Sequence, residues 1–142
     1  MTAPLQPLAA SADLVAGVGW RIFIPLLPPS QNQTDREFWR TRSRRLVEME
    51  WLFLSLRTSR GLPCPVYRRA RLRTLLTFPT ARRRDGLNFA GGLKQWVDAL
   101  VRAGWLTDDN DQVLHAQTPE LAHVRGVTAT ELQFSEWGGG AE

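Results

Sequence analysis

Between Arg82 and Asp111 the chain reads RRRDGLNFAGGLKQWVDALVRAGWLTDDND, and this segment holds the residues best able to do chemistry. Arg82, Arg83 and Arg84 run directly into Asp85. Lys94 and Asp98 follow, four residues apart, and Asp108, Asp109 and Asp111 close the segment. Guanidinium groups clamp phosphodiester oxygens, and carboxylates are the hard oxygen ligands that magnesium prefers. A divalent ion held against a phosphate lowers the pKa of a bound water and offsets the charge on the reacting group. The same residues also fit a plainer description: a basic turn, a surface helix with a solvated lysine–aspartate pair, and an acidic loop. Composition alone favours the plainer description, whereas the order and spacing of the whole segment favour phosphate chemistry.

The segment needs a scaffold, and the flanking pattern supplies one. Val18 to Ile24 alternates Trp20, Ile22 and Ile24 on one side and reads as a strand ended by Pro25. LLPPSQNQ (26–33) is a proline-punctuated loop. Thr34 with Glu37 forms a capping box that opens a long helix running to about Arg57 and stopping near Gly61. Its first half carries Arg36, Arg40 and Arg44 as one cationic stripe, read equally as a phosphate contact or a solvated face. Its second half, LVEMEWLFLSL, is apolar on most faces and reads as buried, and the tryptophans in general are assigned to core stripes. Val66 to Phe78 reads as a second strand with Arg69, Arg71 and Arg73 on an outward face.

Phe89 to Ala103 is the helix that carries Lys94 and Asp98. Leu93, Trp96, Val97, Leu100 and Val101 form its core stripe, and Gly104 caps it. Gly91 and Gly92 near its start admit close approach of another backbone, or mark a frayed end. Gln112–Gln117 and Val124–Phe134 read as two last strands, paired with each other across the loop TPELA. The expectation is a single α+β domain with a mixed sheet in the order β-α-β-α-β-β over residues 18–135. Residues 1–17 are read as a flexible N-terminal arm, and 136–142 as a disordered tail.

Charge divides the chain. Residues 1–84 hold fifteen arginines against five acids, and residues 85–142 hold three cations against nine acids, which leaves the overall +4. A basic half suits a polyanion, because each neutralised phosphate releases condensed counterions. The acidic half argues against a protein that only coats nucleic acid. Cys64 is the sole cysteine, so an intrachain disulfide and a cysteine metal site are excluded, in keeping with a cytoplasmic location. No apolar run approaches the roughly 20 residues of a membrane span, so no membrane partner is expected. His115 and His123 lack further ligands at zinc spacing, and no glycine-rich phosphate loop is present.

Taken in order, Arg83, Arg84, Asp85, Asn88, Lys94, Asp98, Ala99, Leu100, Gly104, Asp108 and Asp109 resemble the motif of the RusA-type Holliday-junction resolvases, endonucleases of phages and prophages. FIPLLPPSQN upstream is similar to that family's first strand and proline-rich loop, and VTATELQF to its closing strand. The resemblance covers about residues 18–135. It implies a RusA-like fold, a homodimer, and a magnesium-dependent endodeoxyribonuclease that nicks four-way DNA junctions in pairs for recombination and repair. It implies that Asp85, Asp108 and Asp109 hold Mg2+, that Lys94 acts with Asp85 and Asp109 in catalysis, and that the arginines at 36, 40, 44, 69, 71, 73 and 82–84 contact DNA. Two departures stand out. Five residues separate Asn88 from Lys94, where the shorter form of the motif has two. Leu87 occupies the place of the second motif aspartate, so a junction-binding protein of the same fold with impaired catalysis is the alternative.

Overall fold

The computed structural model describes residues 10–30, 39–82 and 84–137. The capping box at Thr34 and Glu37, Arg36, Arg83, the first nine residues and the tail from 138 lie outside the described residues, as do the side chains of Gly86 and Leu87. Among the described residues the chain is a single α+β unit, a mixed six-stranded sheet with two helices. β1 spans Ser11–Val15, β2 Gly19–Ile24, α1 Trp39–Ser59, β3 Ala70–Phe78, α2 Ala90–Arg102, β4 Leu114–Ala116, β5 Glu120–His123 and β6 Ala129–Glu136; a 3-10 turn, Gly86–Phe89, leads into α2. None of the described helices is long and apolar enough to cross a membrane.

The sheet runs β1-β2-β6-β3, with β4 and β5 both parallel to β3 on its far side. β3 is the hub. Its alternation buries Ala70, Leu72, Thr74, Leu76 and Phe78 and turns Arg71 and Arg73 outward. On the inner face Leu72 stands beside Phe134 and Thr74 beside Leu132, and Leu132 in turn neighbours Ile22 of β2. The inner row packs with Met49, Leu52, Phe53 and Leu56 of α1 and with Leu93, Trp96, Val97 and Leu100 of α2 as one core. Phe134 stacks between Tyr67 at 5.6 Å and Trp105 at 5.9 Å, and the Trp105 indole donates to the Phe53 carbonyl at 2.8 Å.

Both helices stop as their sequences dictate. After α1, Gly61 takes φ +63°, its N–H reaches the Thr58 carbonyl at 3.0 Å, and Leu62 N–H reaches that of Arg57 at 3.0 Å. After α2, Gly104 takes φ +83°, with N–H bonds from Gly104 to Val101 and from Trp105 to Leu100. Each is a Schellman motif, in which glycine removes the steric cost of the left-handed turn.

Three expectations change. Residues 11–15, assigned to the loose arm, form β1, which pairs antiparallel with β2 through a turn at Gly17 and buries Ala12. Small residues carry that inward contact, so no strong apolar alternation marked the strand. The two segments expected to pair with each other lie on opposite sides of β3: β6 is antiparallel to it, β4 parallel. The intervening TPELA contributes β5, and Pro119, which has no N–H to donate, falls in the break between β4 and β5. Finally, α1 buries only one stripe. Trp39, Val47 and Trp51 are exposed, because a helix lying on one side of a sheet has a core on only one of its faces.

Gly92 shows the proline-rich loop at work. A Cβ there would sit 2.2 Å from the Pro29 carbonyl oxygen, so the loop backbone rests directly on the first turn of α2. Helix propensity alone favours alanine at this position. We expect the opposite sign: Gly92→Ala should lower stability by about 1–3 kcal/mol in chemical denaturation, through overpacking. Gly91→Ala, at an exposed position one residue earlier, should raise it by roughly 0.5–1 kcal/mol.

Candidate functional site

On α2, Lys94, Asp98 and Arg102 recur at four-residue steps, so one helix face alternates cation, anion, cation. Lys94 and Arg102 are exposed and Asp98 is half-buried. Beyond Gly104 the chain doubles back. Val66 N–H bonds the Gly104 carbonyl, Tyr67 N–H bonds that of Trp105, and buried Trp105 and Leu106 pin the segment to the core. The acidic loop that follows is thereby carried back toward α2.

There the Asp109 and Asp98 carboxyl groups come within hydrogen-bonding reach of each other. Burial is the main cause that holds Asp98 above the ordinary carboxylate range. The charge of Asp109 and the bond to it act in the same direction, while Lys94 and Arg102 oppose them. Asp108 is held below that range: its Oδ1 accepts the backbone N–H of Asp109 at 2.7 Å, and bonds with the Asp109 side chain and with Asn110 add to this. Asn110 Oδ1 accepts from the N–H groups of Gln112 and Val113, which closes the loop as a compact turn.

Lys94 and Asp109 both line a cavity of about 370 Å³ between α2, β3 and β4. Its floor is apolar, formed by Leu72, Val97 and Leu114, with Thr74 the one buried polar residue of β3. A polar rim over an apolar floor is the usual build of a ligand-binding cleft.

The motif residues are distributed unevenly around this cleft. Lys94 and Asp109 reach it, and Asp108 stands beside Asp109. Asp85 is exposed ahead of the 3-10 turn, where its carbonyl accepts the Asn88 N–H at 3.0 Å, and it is not among the lining residues. Among the described residues no three acidic, histidine or cysteine side chains are grouped as a metal cage. Asp98, which the spacing suggested only as a lysine partner, joins Asp109 instead. Its signal in the sequence was one carboxylate four residues after the lone lysine, the same signal as a solvated helix pair. Arg102, one turn further on, was not singled out at all.

The arginines take several positions. Arg69, Arg71 and Arg73 are exposed; Arg71 and Arg73 lie on the face of β3 opposite Leu72 and Thr74, away from the cleft. Arg73 forks onto Glu120 at 2.5 and 3.3 Å, and that bond raises the Arg73 pKa and lowers that of Glu120. Arg84 donates to the Thr80 carbonyl and hydroxyl at 2.8 and 3.0 Å and lies over the Phe78 ring at 4.1 Å. Arg82 is exposed beside it, and Arg40 and Arg44 are exposed on α1. Compared with protein-family models and with curated proteins, the chain finds no match.

Asp98 and Asp109 are the residues that could share a divalent ion. Two carboxylates in contact at a partly buried position repel unless a proton or a cation lies between them, and magnesium is commonly held by one or two carboxylates with water and substrate phosphate completing its shell. The pH dependence has a definite sign. A carboxyl whose pKa is raised on folding binds a proton more tightly in the folded chain, so its ionisation becomes a penalty as pH rises through that pKa. Asp98→Asn should therefore raise Tm at neutral pH by about 1–3 °C. The gain should shrink toward zero as the pH falls into the ordinary carboxylate range, as read by paired thermal melts across pH.

Proposed function

We propose that this chain is a magnesium-dependent, structure-selective endodeoxyribonuclease of RusA type that hydrolyses phosphodiester bonds in four-way DNA junctions. The supporting observation is the return of the acidic loop to α2, which sets Asp109 against Asp98 and lets Asp109 and Lys94 line one cleft. A phosphodiester seated at the rim meets the Lys94 ammonium, which donates to a non-bridging oxygen and stabilises the charge that builds as water attacks phosphorus and one P–O ester bond breaks. The freed oxygen leaves as a strand-terminal hydroxyl that takes up a proton from solvent. Asp98 and Asp109 would hold the ion, with Asp108 adjacent. A bound magnesium there supplies Lewis acidity and a water of lowered pKa. Arg102 adds positive charge at the same helix face, and the basic N-terminal half supplies long-range attraction for the polyanion. Paired nicks call for two copies of the site, hence a homodimer.

A second reading has its own support. Asp85 does not line the cleft, and Leu87 stands where the motif has an aspartate, so a chain of this fold that grips branched DNA without cutting it remains the alternative. A labelled synthetic four-way junction with matched duplex as control separates the two. On the first reading, paired nicks appear with magnesium and vanish with chelator. Lys94→Ala and Asp109→Asn should each lower the cleavage rate about 10²–10³-fold while junction binding persists. On the second reading the wild-type chain binds but does not cut, and Leu87→Asp restores cleavage. A chain that neither cuts nor prefers junction over duplex ends both readings.

A further inference from the structure

The cleft beside α2 is deeper than a phosphodiester needs. Lys94 and Asp109 line it, yet the space of about 370 Å³ is walled largely by aliphatic side chains, Leu72, Val97 and Leu114 among them. A phosphate keeps to water and polar partners, so phosphate chemistry leaves this apolar floor without a use. The floor also carries unmet polar groups, all of them on one residue. β4 ends opposite Leu72 and β5 begins opposite Leu75, so Thr74 faces the linking residues 117–119 across a gap in the sheet. Ala70 N–H bonds the Val113 carbonyl, and the carbonyls of Leu72 and Phe78 accept from Gln117 and Val124, which directs the backbone groups of even-numbered β3 residues toward that side. At Thr74 the series is interrupted: Pro119 has no N–H, and none of residues 117–119 bonds the Thr74 backbone. The Thr74 hydroxyl, on a residue only 2% exposed that lines the cavity, makes no hydrogen bond among the described residues. Buried donors and acceptors left open in this way cost free energy until something meets them.

We propose that the cleft receives one unstacked nucleobase of a DNA strand, its edge read by Thr74 and its adjoining phosphate met by Lys94. The choice of DNA rests on the function proposed above, and the inference adds to it a step in which a base is read. A nucleobase is the part of a nucleotide that such a cleft fits: flat, largely apolar on its faces, and set with neighbouring donors and acceptors along one edge. Thr74 offers that edge a backbone N–H, a carbonyl and a hydroxyl at the floor. The cavity lies near the lower end of the roughly 300–1,000 Å³ of small-ligand clefts, which suits one small ring system and not an extended ligand. Charge agrees with this orientation. The phosphate attached to the base belongs in water beside a cation, and the exposed Lys94 ammonium stands where the cleft opens.

Fluorescence titration with the full chain tests it, in chelator so that cleavage plays no part. The probes are a four-way junction and a single strand, each with 2-aminopurine in place of one central base. Emission should rise about twofold or more, because the base leaves its stack for aliphatic walls that carry no ring to quench it. Ala116→Phe, at an exposed position on the cleft wall, should fill the space and abolish the rise with unchanged far-UV circular dichroism. Thr74→Val keeps the shape but loses the hydroxyl, and should weaken single-strand binding about threefold to tenfold, whereas Thr74→Ser should stay near the wild type. The inference is overturned by unchanged emission, which is the result for a cleft holding only water. It is equally overturned by a rise that survives Ala116→Phe, or by Thr74→Val binding as the wild type does. Adding magnesium scores the nuclease separately. Paired nicks whose rate ignores an abasic residue scanned through the cleavage site overturn the base site alone, and an emission rise without any nick overturns the nuclease alone.

Discussion

The placement of the acidic loop depends on one reversal of the chain. Gly104 adopts a left-handed conformation that side chains rarely tolerate, and a Cβ there would also meet the Cys64 sulfur at 2.6 Å and the Arg57 Nε at 3.1 Å. Arg57 in turn donates to the carbonyls of Ala103 and Leu62, so one guanidinium ties together the ends of both helices. Trp105 follows immediately and is fully buried, its indole bonded to α1. Helix end, reversal and core anchor occupy three consecutive residues. Only two residues after Trp105 and Leu106 enter the core, the chain emerges at Asp108 and Asp109. The position of those carboxylates is thus set by core packing rather than by the loop's own conformation.

β3 imposes the second constraint. Because its side chains alternate, the residues that floor the cleft and the outward arginines Arg71 and Arg73 cannot share a face. Leu72 and Thr74 point toward α2, while Arg71 and Arg73 point away, with Arg73 committed to Glu120. The sheet therefore separates the β3 arginines from the acidic site by its own thickness. Cations able to act on a phosphate in the cleft must come from α2, which offers Lys94 and Arg102. On the proposed function, the strong basic character of the N-terminal half would work as a field over the surface, raising the local concentration of a polyanion, and not as a line of contacts leading into the site.

Much of this was legible from the residues alone. β2, β3 and α2 announce themselves through period, both helix stops through glycine, and the outward turn of Arg71 and Arg73 through alternation. What was not legible shares one cause: it depends on partners distant in sequence. β1 is a strand because β2 offers an edge at Ala12, not because SADLV carries a strand pattern. β4 and β6 each look like half of a hairpin, yet both are drawn to β3, the longest strand, on opposite sides. The apolar second half of α1 was read as buried, and its composition cannot reveal that only one stripe has a core to enter. Asp98 was visible as a spacing, but its contact with Asp109 required the reversal at Gly104.

The acidic pair itself runs against the stability of the fold. A half-buried carboxylate placed next to another is a penalty at neutral pH, and the flanking Lys94 and Arg102 do not cancel it, since burial and Asp109 still hold Asp98 above its ordinary range. An alanine or asparagine at 98 would keep the helix and remove the repulsion, with no loss from the core stripe at Leu93, Trp96, Val97 and Leu100. Local arrangements that cost stability and persist next to a cleft are the ones in which function is to be sought. Here the unfavourable term is a carboxylate withdrawn from water with a second carboxylate beside it, and a divalent ion would relieve it. A phosphodiester alone would worsen it. On the proposed function, the ion and the phosphate would be complementary halves of one occupant, which is the electrostatic condition that hydrolysis at this cleft would require.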